Sequence, residues 1–214
     1  MKNLLRISAS PNGAASQSRG IGDRLSAGLQ RLHGAEIVHR DLGAEPLPYP
    51  SRAFARASLL AEAERGPEET RTLSLSEMLI GELEGADAVV IDTPMHNFTV
   101  PACLKSWIDH VVRPHRTFRP SPQGKLGLLR DRPVYLVAAC GGGFDTTAGG
   151  QTDFLTPYLQ AILATMGLQS VHILRLENLR RGDAAMAQAQ AKAEAWVEAQ
   201  LTEGGGVSFF QFPE

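Results

Sequence analysis

Three short stretches carry the residues whose types and spacing could do chemistry. The first, SASPNGAASQS over residues 8–18, is rich in hydroxyls and runs into a helical pattern. The first N–H groups of a helix have no intrahelical acceptor, and the helix dipole adds positive potential there. With hydroxyl donors beside it, such a loop can hold a phosphate dianion without a lysine. The plainer alternative is a serine-rich loop in which Ser16 only caps the helix. The second stretch, Thr93-Pro94-Met95-His96-Asn97-Phe98-Thr99-Val100-Pro101, is stiffened by proline at both ends and also feeds a helix. A rigid loop of this kind can point backbone N–H groups at the edge of a planar ring. Its alternative is a Pro-bounded turn with Met95 and Phe98 filling core. The third, Cys140-Gly141-Gly142-Gly143-Phe144, has three glycines, whose bare backbone can lie flat against a planar ligand.

Competing chemistries are absent from the same positions. No GxxxxGK[ST] is present, so the first loop is no P-loop. Gly20-Ile21-Gly22 is followed by Asp23-Arg24-Leu25, an incomplete dinucleotide fingerprint lying inside the helix rather than before it. The loop has no Cys ahead of an Arg, which excludes a thiol phosphatase, and no acidic pair follows the first strand, which a metal-dependent phospho-acceptor would need. Asp92 therefore reads as a strand-end residue. The two cysteines, Cys103 and Cys140, form no CxxC and no His cluster, so neither a disulfide framework nor a metal site is expected. A net charge of -2 and scattered Lys and Arg give no footprint for nucleic acid or an acidic membrane. No apolar run is long enough to span a bilayer, and the N-terminus lacks a signal-peptide pattern, so a cytoplasmic protein is expected.

The elements that must position these loops follow from hydrophobic period. Strands are expected over Asn3–Ser8, Ala35–Leu42, Ala86–Thr93, Pro133–Cys140 and Val171–Glu177. ADAVVIDT is almost wholly apolar and β-branched, as a central parallel strand requires. Ile21, Leu25, Leu29 and Leu32 recur at helical spacing in a helix starting near Ser16. Further helices are expected over Ser51–Glu64, around Leu75–Leu83 to Gly85, and over Pro101–Val112, Phe154–Gly167 and Asp183–Leu201. Pro157 is tolerable only in a first turn. Alternating strands and helices imply one three-layer α/β domain over 1–203: a five-stranded parallel sheet of order 2-1-3-4-5 with helices on both faces. Ligands of such sheets bind beyond the carboxyl ends of the strands, where the three loops fall. The tail 204–214, GGGVSFFQFPE, is apolar after a glycine hinge and is expected either to pack on another surface, such as a second subunit, or to be a loose end.

SxSPxxxxSxS after strand one, PMxNFxxPxxLKxWxDxxxR after strand three and the later TDFLTPYL together resemble the FMN-dependent NADH-azoreductases, also described as NADH:quinone oxidoreductases. The resemblance spans strand one to the last helix, and its specific part is PMHNF…LKSWID. It implies a flavodoxin-like fold, a homodimer, and FMN bound non-covalently at the dimer interface. By it, Ser10, Ser16, Gln17 and Ser18 hold the phosphate, while Pro94, Met95, His96, Asn97 and Phe98 line the isoalloxazine. Cys140, Gly141, Gly142 and Gly143 then cover the other edge of the ring, and Phe118, Pro120 and Phe144 face the acceptor. The chain departs from the family pattern at Cys140 (commonly Ser), Gly141 (commonly bulkier), His96 (usually Tyr), His115 (Gly in RxGxTF) and Pro120 (often aromatic). His96 is a candidate proton donor beside the flavin, though lone histidines are mostly polar surface.

The reaction implied is a transfer of two electrons from NADH or NADPH to a quinone or azo compound in two half-reactions at one site, with no essential catalytic acid among the side chains. Rival readings are a reductase of free flavin, a flavodoxin-type electron carrier and a scaffold that has lost its flavin. A carrier is usually strongly acidic so as to steer onto its partners, which a net charge of -2 does not match.

Overall fold

A computed structural model describes residues 1–146 and 149–203. The elements run β1 (Asn3–Ser8), α1 (Gln17–His33), β2 (Glu36–Asp41), α2 (Arg52–Ala57), α3 (Pro67–Gly85), β3 (Ala88–Pro94), α4 (Ala102–Val111), β4 (Phe118–Ser121), β5 (Gly124–Gly127), β6 (Val134–Ala139), α5 (Thr156–Met166), β7 (Val171–Leu176) and α6 (Asp183–Glu203). The main sheet is parallel in the order β2-β1-β3-β6-β7. Setting aside the inserted hairpin β4–β5, this is the expected 2-1-3-4-5. The expected tail, 204–214, lies outside the described residues.

Side-chain alternation along the buried strands sorts the core into two layers. Leu5 and Ile7 of β1, Val89 and Ile91 of β3 and Leu136 and Ala138 of β6 face α3, α4 and α5, where Leu79, Leu83, Trp107, Leu159 and Leu163 cover them. Leu4, Val90 and Tyr135 face the opposite layer and pack on Leu25 and Leu29 of α1 and on Trp196 of α6. Each fully buried Leu or Ile contributes about 1.5–3 kcal/mol of transfer free energy, so these two apolar layers fix the register of the sheet.

Helix ends follow local chemistry. Ser16 is the N-cap of α1 and accepts from the Arg19 N–H, and Gly34 ends the helix in the left-handed region at φ 66°. Pro157 sits in the first turn of α5, where its missing N–H costs nothing. One expected element is corrected. The helix expected over Ser51–Glu64 stops at Ala57, and a separate 3₁₀ turn covers Glu62–Glu64. Its apolar period fails after Phe54 and Ala57, because Leu59 is 70% exposed. The Leu60 carbonyl is taken by the Arg65 guanidinium at 2.8 and 3.2 Å instead of by a helical N–H. The antiparallel hairpin β4–β5 was not expected from the sequence, since Pro120 and Pro122 mark its stretch as loop.

Candidate functional site

The first loop rests on a buried polar network that follows from the strand period. Leu4, Arg6 and Ser8 share one face of β1, and Val90 and Asp92 the same face of β3, so this layer changes from apolar to polar toward the carboxyl end of the sheet. Arg6 donates to Asp92 Oδ2 from Nη2 and Nε at 3.1 and 3.2 Å, to the Arg19 carbonyl at 3.1 Å, and to Asp23. The Ser8 hydroxyl donates to the same Asp92 oxygen at 2.7 Å and lies 3.0 Å from His39 Nε2. Burial pushes the Asp92 carboxyl up against the pull of Arg6 and Ser8, and its Oδ1 has no partner among the described residues. Burial also lowers His39, helped by the Arg6 charge. Gly22 explains the glycine pair inside α1: a Cβ there would stand 2.6 Å from Asp92 Oδ2, so only glycine lets the helix pass the carboxylate.

Above this network Arg19 closes the loop. Its guanidinium forks onto both oxygens of Asp41 at 2.6 and 2.7 Å and reaches the Ser10 carbonyl at 3.3 Å. The Arg19 hydrogen bond, with N–H groups of Gly43 and Ala44 at 3.1 Å, holds the Asp41 carboxyl down to about 2. The Ser16 hydroxyl lies 3.2 Å from that of Ser18 and accepts from Arg19 N–H at 3.3 Å. The N–H groups of Gln17 and Ser18, the first of α1, have no acceptor among the described residues and remain available for an anion.

A cavity of about 730 Å³ joins the three loops. Ser10, Ser16 and Gln17 line one end; Pro94, Met95, His96, Asn97 and Phe98 and the turn Cys140, Gly141, Gly142 line the rest. Asn97 and Phe98 both take positive φ, 47° and 73°, a conformation costly for side chains other than glycine. The bonds between His96 and Thr99, at 2.9 and 3.1 Å, close the turn around them and leave the Asn97 and Phe98 N–H groups without acceptors among the described residues. An anion site at a helix N-terminus, continuous with a strained turn offering spare N–H donors, fits a phosphate joined to a flat heteroaromatic ring. Phe98 is half-exposed and Met95 packs on the core, so the alternative of a wholly core-filling turn accounts for Met95 alone.

Several predicted residues stand apart from the cavity. Ser18 is buried behind Ser16. Gly143 is covered by Asn178, whose Oδ1 would lie 2.9 Å from an added Cβ. Phe118 and Pro120 sit on the hairpin, Phe118 beneath Lys125 Nζ at 4.9 Å from the ring centroid. Phe144 donates its N–H to Glu177 at 3.0 Å and stacks under Arg175. None of the last three lines the cavity within one chain. The sequence reading missed Gln151, Leu179, Arg180 and Met186, which do line it. The Gln151 amide donates to Cys140 Sγ and, at 3.2 Å, to Met95 Sδ. Burial pushes the Cys140 thiol up, so it stays protonated and is no nucleophile at neutral pH. No helix among the described residues is long and apolar enough to cross a membrane.

Fold and site together define an α/β protein built to hold a nucleotide-like ligand beyond the carboxyl ends of its strands. The sequence pattern of the family described by its flavodoxin-like fold matches residues 2–200. An FMN-dependent NADH:quinone oxidoreductase 2 of Cupriavidus pinatubonensis is 52% identical over 198 residues, 92% of this chain and 96% of that protein. An FMN-dependent NADH:quinone oxidoreductase 4 of Pseudomonas fluorescens is 46% identical over 187 residues, 87% and 89% of the two chains. Among solved structures, an FMN-dependent NADH-azoreductase of Bacillus anthracis in complex with FMN superposes with a TM-score of 0.82 at 22% identity, over 96% of this chain and all of that one, a likeness of fold. The chain belongs to the flavodoxin-like family and, within it, to the FMN-dependent NADH:quinone oxidoreductases.

Proposed function

We propose that this protein binds FMN in the cavity and passes two electrons from NADH to quinones and azo compounds. The observation that carries the reading is the continuity of the serine loop at the α1 N-terminus with the strained Pro94–Phe98 turn in a single cavity. FMN held by these residues would supply the redox chemistry, hydride exchange with nicotinamide and acceptor in two half-reactions. The chain supplies grip and electrostatics. Ser10, Ser16, Gln17 and Ser18 hold the phosphate, with the Gln17 and Ser18 N–H groups as donors and Ser18 acting through Ser16. The Asn97 and Phe98 N–H groups meet the ring edge and favour negative charge there, and Gly141 and Gly142 cover the opposite edge. His96, exposed at the cavity wall, is the candidate proton donor, and no side chain is an essential catalytic acid.

The active unit is a homodimer. Tyr49 and Leu59 stay 75% and 70% accessible in one chain, apolar surface that a second copy would cover. Pro120 and Phe144 then reach the acceptor only where a second copy brings them to the cavity, and Phe118, 8% exposed in its own chain, backs that surface rather than lining it. Sedimentation of the FMN-loaded protein reports the assembly, and a monomer at micromolar concentration overturns it.

The purified protein should be yellow, bleach on NADH addition and recover its colour with a quinone. Ser16→Ala with Ser18→Ala should raise the Kd for FMN by about tenfold, roughly the loss of one charge-assisted hydrogen bond. A protein that gains neither colour nor thermal protection from excess FMN would overturn the reading.

A further inference from the structure

The loop after β7 is laced to the glycine turn after β6. The N–H groups of Asn178, Leu179 and Arg180 donate to the carbonyls of Gly142, Cys140 and Gly141 at 2.9, 3.2 and 3.1 Å. Asn178 takes φ 61° to make this bend. The lacing fixes the Arg180 backbone at the cavity edge and lays its stem across Gly141. A Cβ on Gly141 would meet Arg180 Cδ and Cγ at 3.1 and 3.3 Å, so the bare glycine and the arginine stem form one packed unit.

Arg180 differs from its neighbour Arg175 in what its charge does. Arg175 is committed to Asp153 at 3.4 Å, to Glu177 at 4.0 Å and to the Phe144 ring. The Arg180 guanidinium has no ion pair or side-chain hydrogen bond among the described residues. The cavity lining holds no carboxylate, and Arg180 is its one permanent charge among the described residues. Its exposure at the rim leaves the charge screened by water, which makes it a weak modulator of ring electronics but a good receptor for an anion arriving from solvent.

We propose that Arg180 is a specificity-determining residue that holds the anionic group of the ligand occupying the ring face. That group is either the pyrophosphate of the dinucleotide donor or a carboxylate or sulfonate on an aromatic acceptor. The inference rests on the function proposed above. Its test uses the FMN-loaded protein and the variants Arg180→Gln and Arg180→Lys, with NADH, anthraquinone-2-sulfonate and neutral menadione as probes. Arg180→Gln should raise the KM of NADH, or that of the sulfonate, relative to the KM of menadione by about five- to tenfold, and added salt should erase the difference. Arg180→Lys should restore most of it. The Kd of the oxidised protein for NAD⁺ or for anthraquinone-2-sulfonate, read from the flavin absorbance, should move with the matching KM. A change confined to the NADH arm identifies the donor as the source of the anion, and one confined to the sulfonate arm identifies the acceptor. Unchanged ratios in both arms, or a rise only in the Kd for FMN, overturn the proposal. Wild-type protein that fails to turn over NADH with menadione sinks the function reading and this inference together, whereas normal wild-type turnover with an indifferent Arg180→Gln sinks the inference alone.

Discussion

The two ends of the cavity are held by opposite means. The phosphate end stands on charge: Arg6 and Asp92 beneath, Arg19 forked onto Asp41 above, and the cap at Ser16 between them. The ring end stands on backbone: two positive-φ residues at Asn97 and Phe98, and a glycine turn stitched by N–H groups of the following loop. A phosphate is the same in every nucleotide, so a rigid, over-determined seat suits it. On the function proposed above the ring end receives ligands of different shape in turn, and there the shape of the wall is set by backbone rather than by ion pairs. His96, Cys140 and Gly141, where this chain departs from the pattern it resembles, all fall at that end.

Breaking the phosphate end should cost most. Arg6→Met strands the Asp92 carboxylate in a buried layer and should destabilise the fold by about 3–5 kcal/mol, read by urea unfolding. Adding Asp92→Leu should return much of that loss, and if it returns none the network is not a charge pair with its own desolvation cost. Gly22→Ala presses a methyl on the same carboxylate and should cost about 1–3 kcal/mol.

Acid tests the upper tie. The Asp41 carboxyl is lower in the folded than in the unfolded chain, so its stabilisation is complete above the ordinary carboxylate range near pH 4 and is lost as pH falls toward about 2. Arg19→Gln should therefore lower stability at pH 7 yet leave it close to wild type at pH 2, a convergence visible in thermal melts across that range. At the ring end, Cys140→Ser is the mildest change. It should shift stability by less than about 1 kcal/mol while altering the flavin absorbance band, since its partner Gln151 then meets a hydroxyl. A large loss of stability there would mean that the ring end is as tightly specified as the other.

Much of this was legible in the residues. The alternation of Leu4, Leu5 and Ile7 and the apolar run at 88–91 place the central strands, and the helical spacing of Ile21, Leu25 and Leu29 places α1. The three loops were legible because a parallel α/β sheet puts its ligand beyond strand ends. Arg6 and Asp92 were not readable as a pair: they lie 86 residues apart, and only the register of β1 on β3 brings them together. Arg180 was hidden for a similar reason, since it reaches the cavity through a hydrogen bond to the turn after β6, and Gln151 because that same loop folds back to set its amide on Cys140 and Met95. The hairpin β4–β5 was hidden by its prolines, which signal a loop in local chemistry while the two-stranded pairing tolerates them.

The lacing of residues 178–180 onto 140–142 bears on how the molecule matures. The cavity wall takes residues from 10 through to 186, so a nascent chain released only as far as β6 carries Ser10, Ser16 and Gln17 of that wall but lacks Leu179, Arg180 and Met186. Until β7 and the loop after it are in place the wall is open on that side, so flavin held in the finished cavity reports chains folded through residue 186.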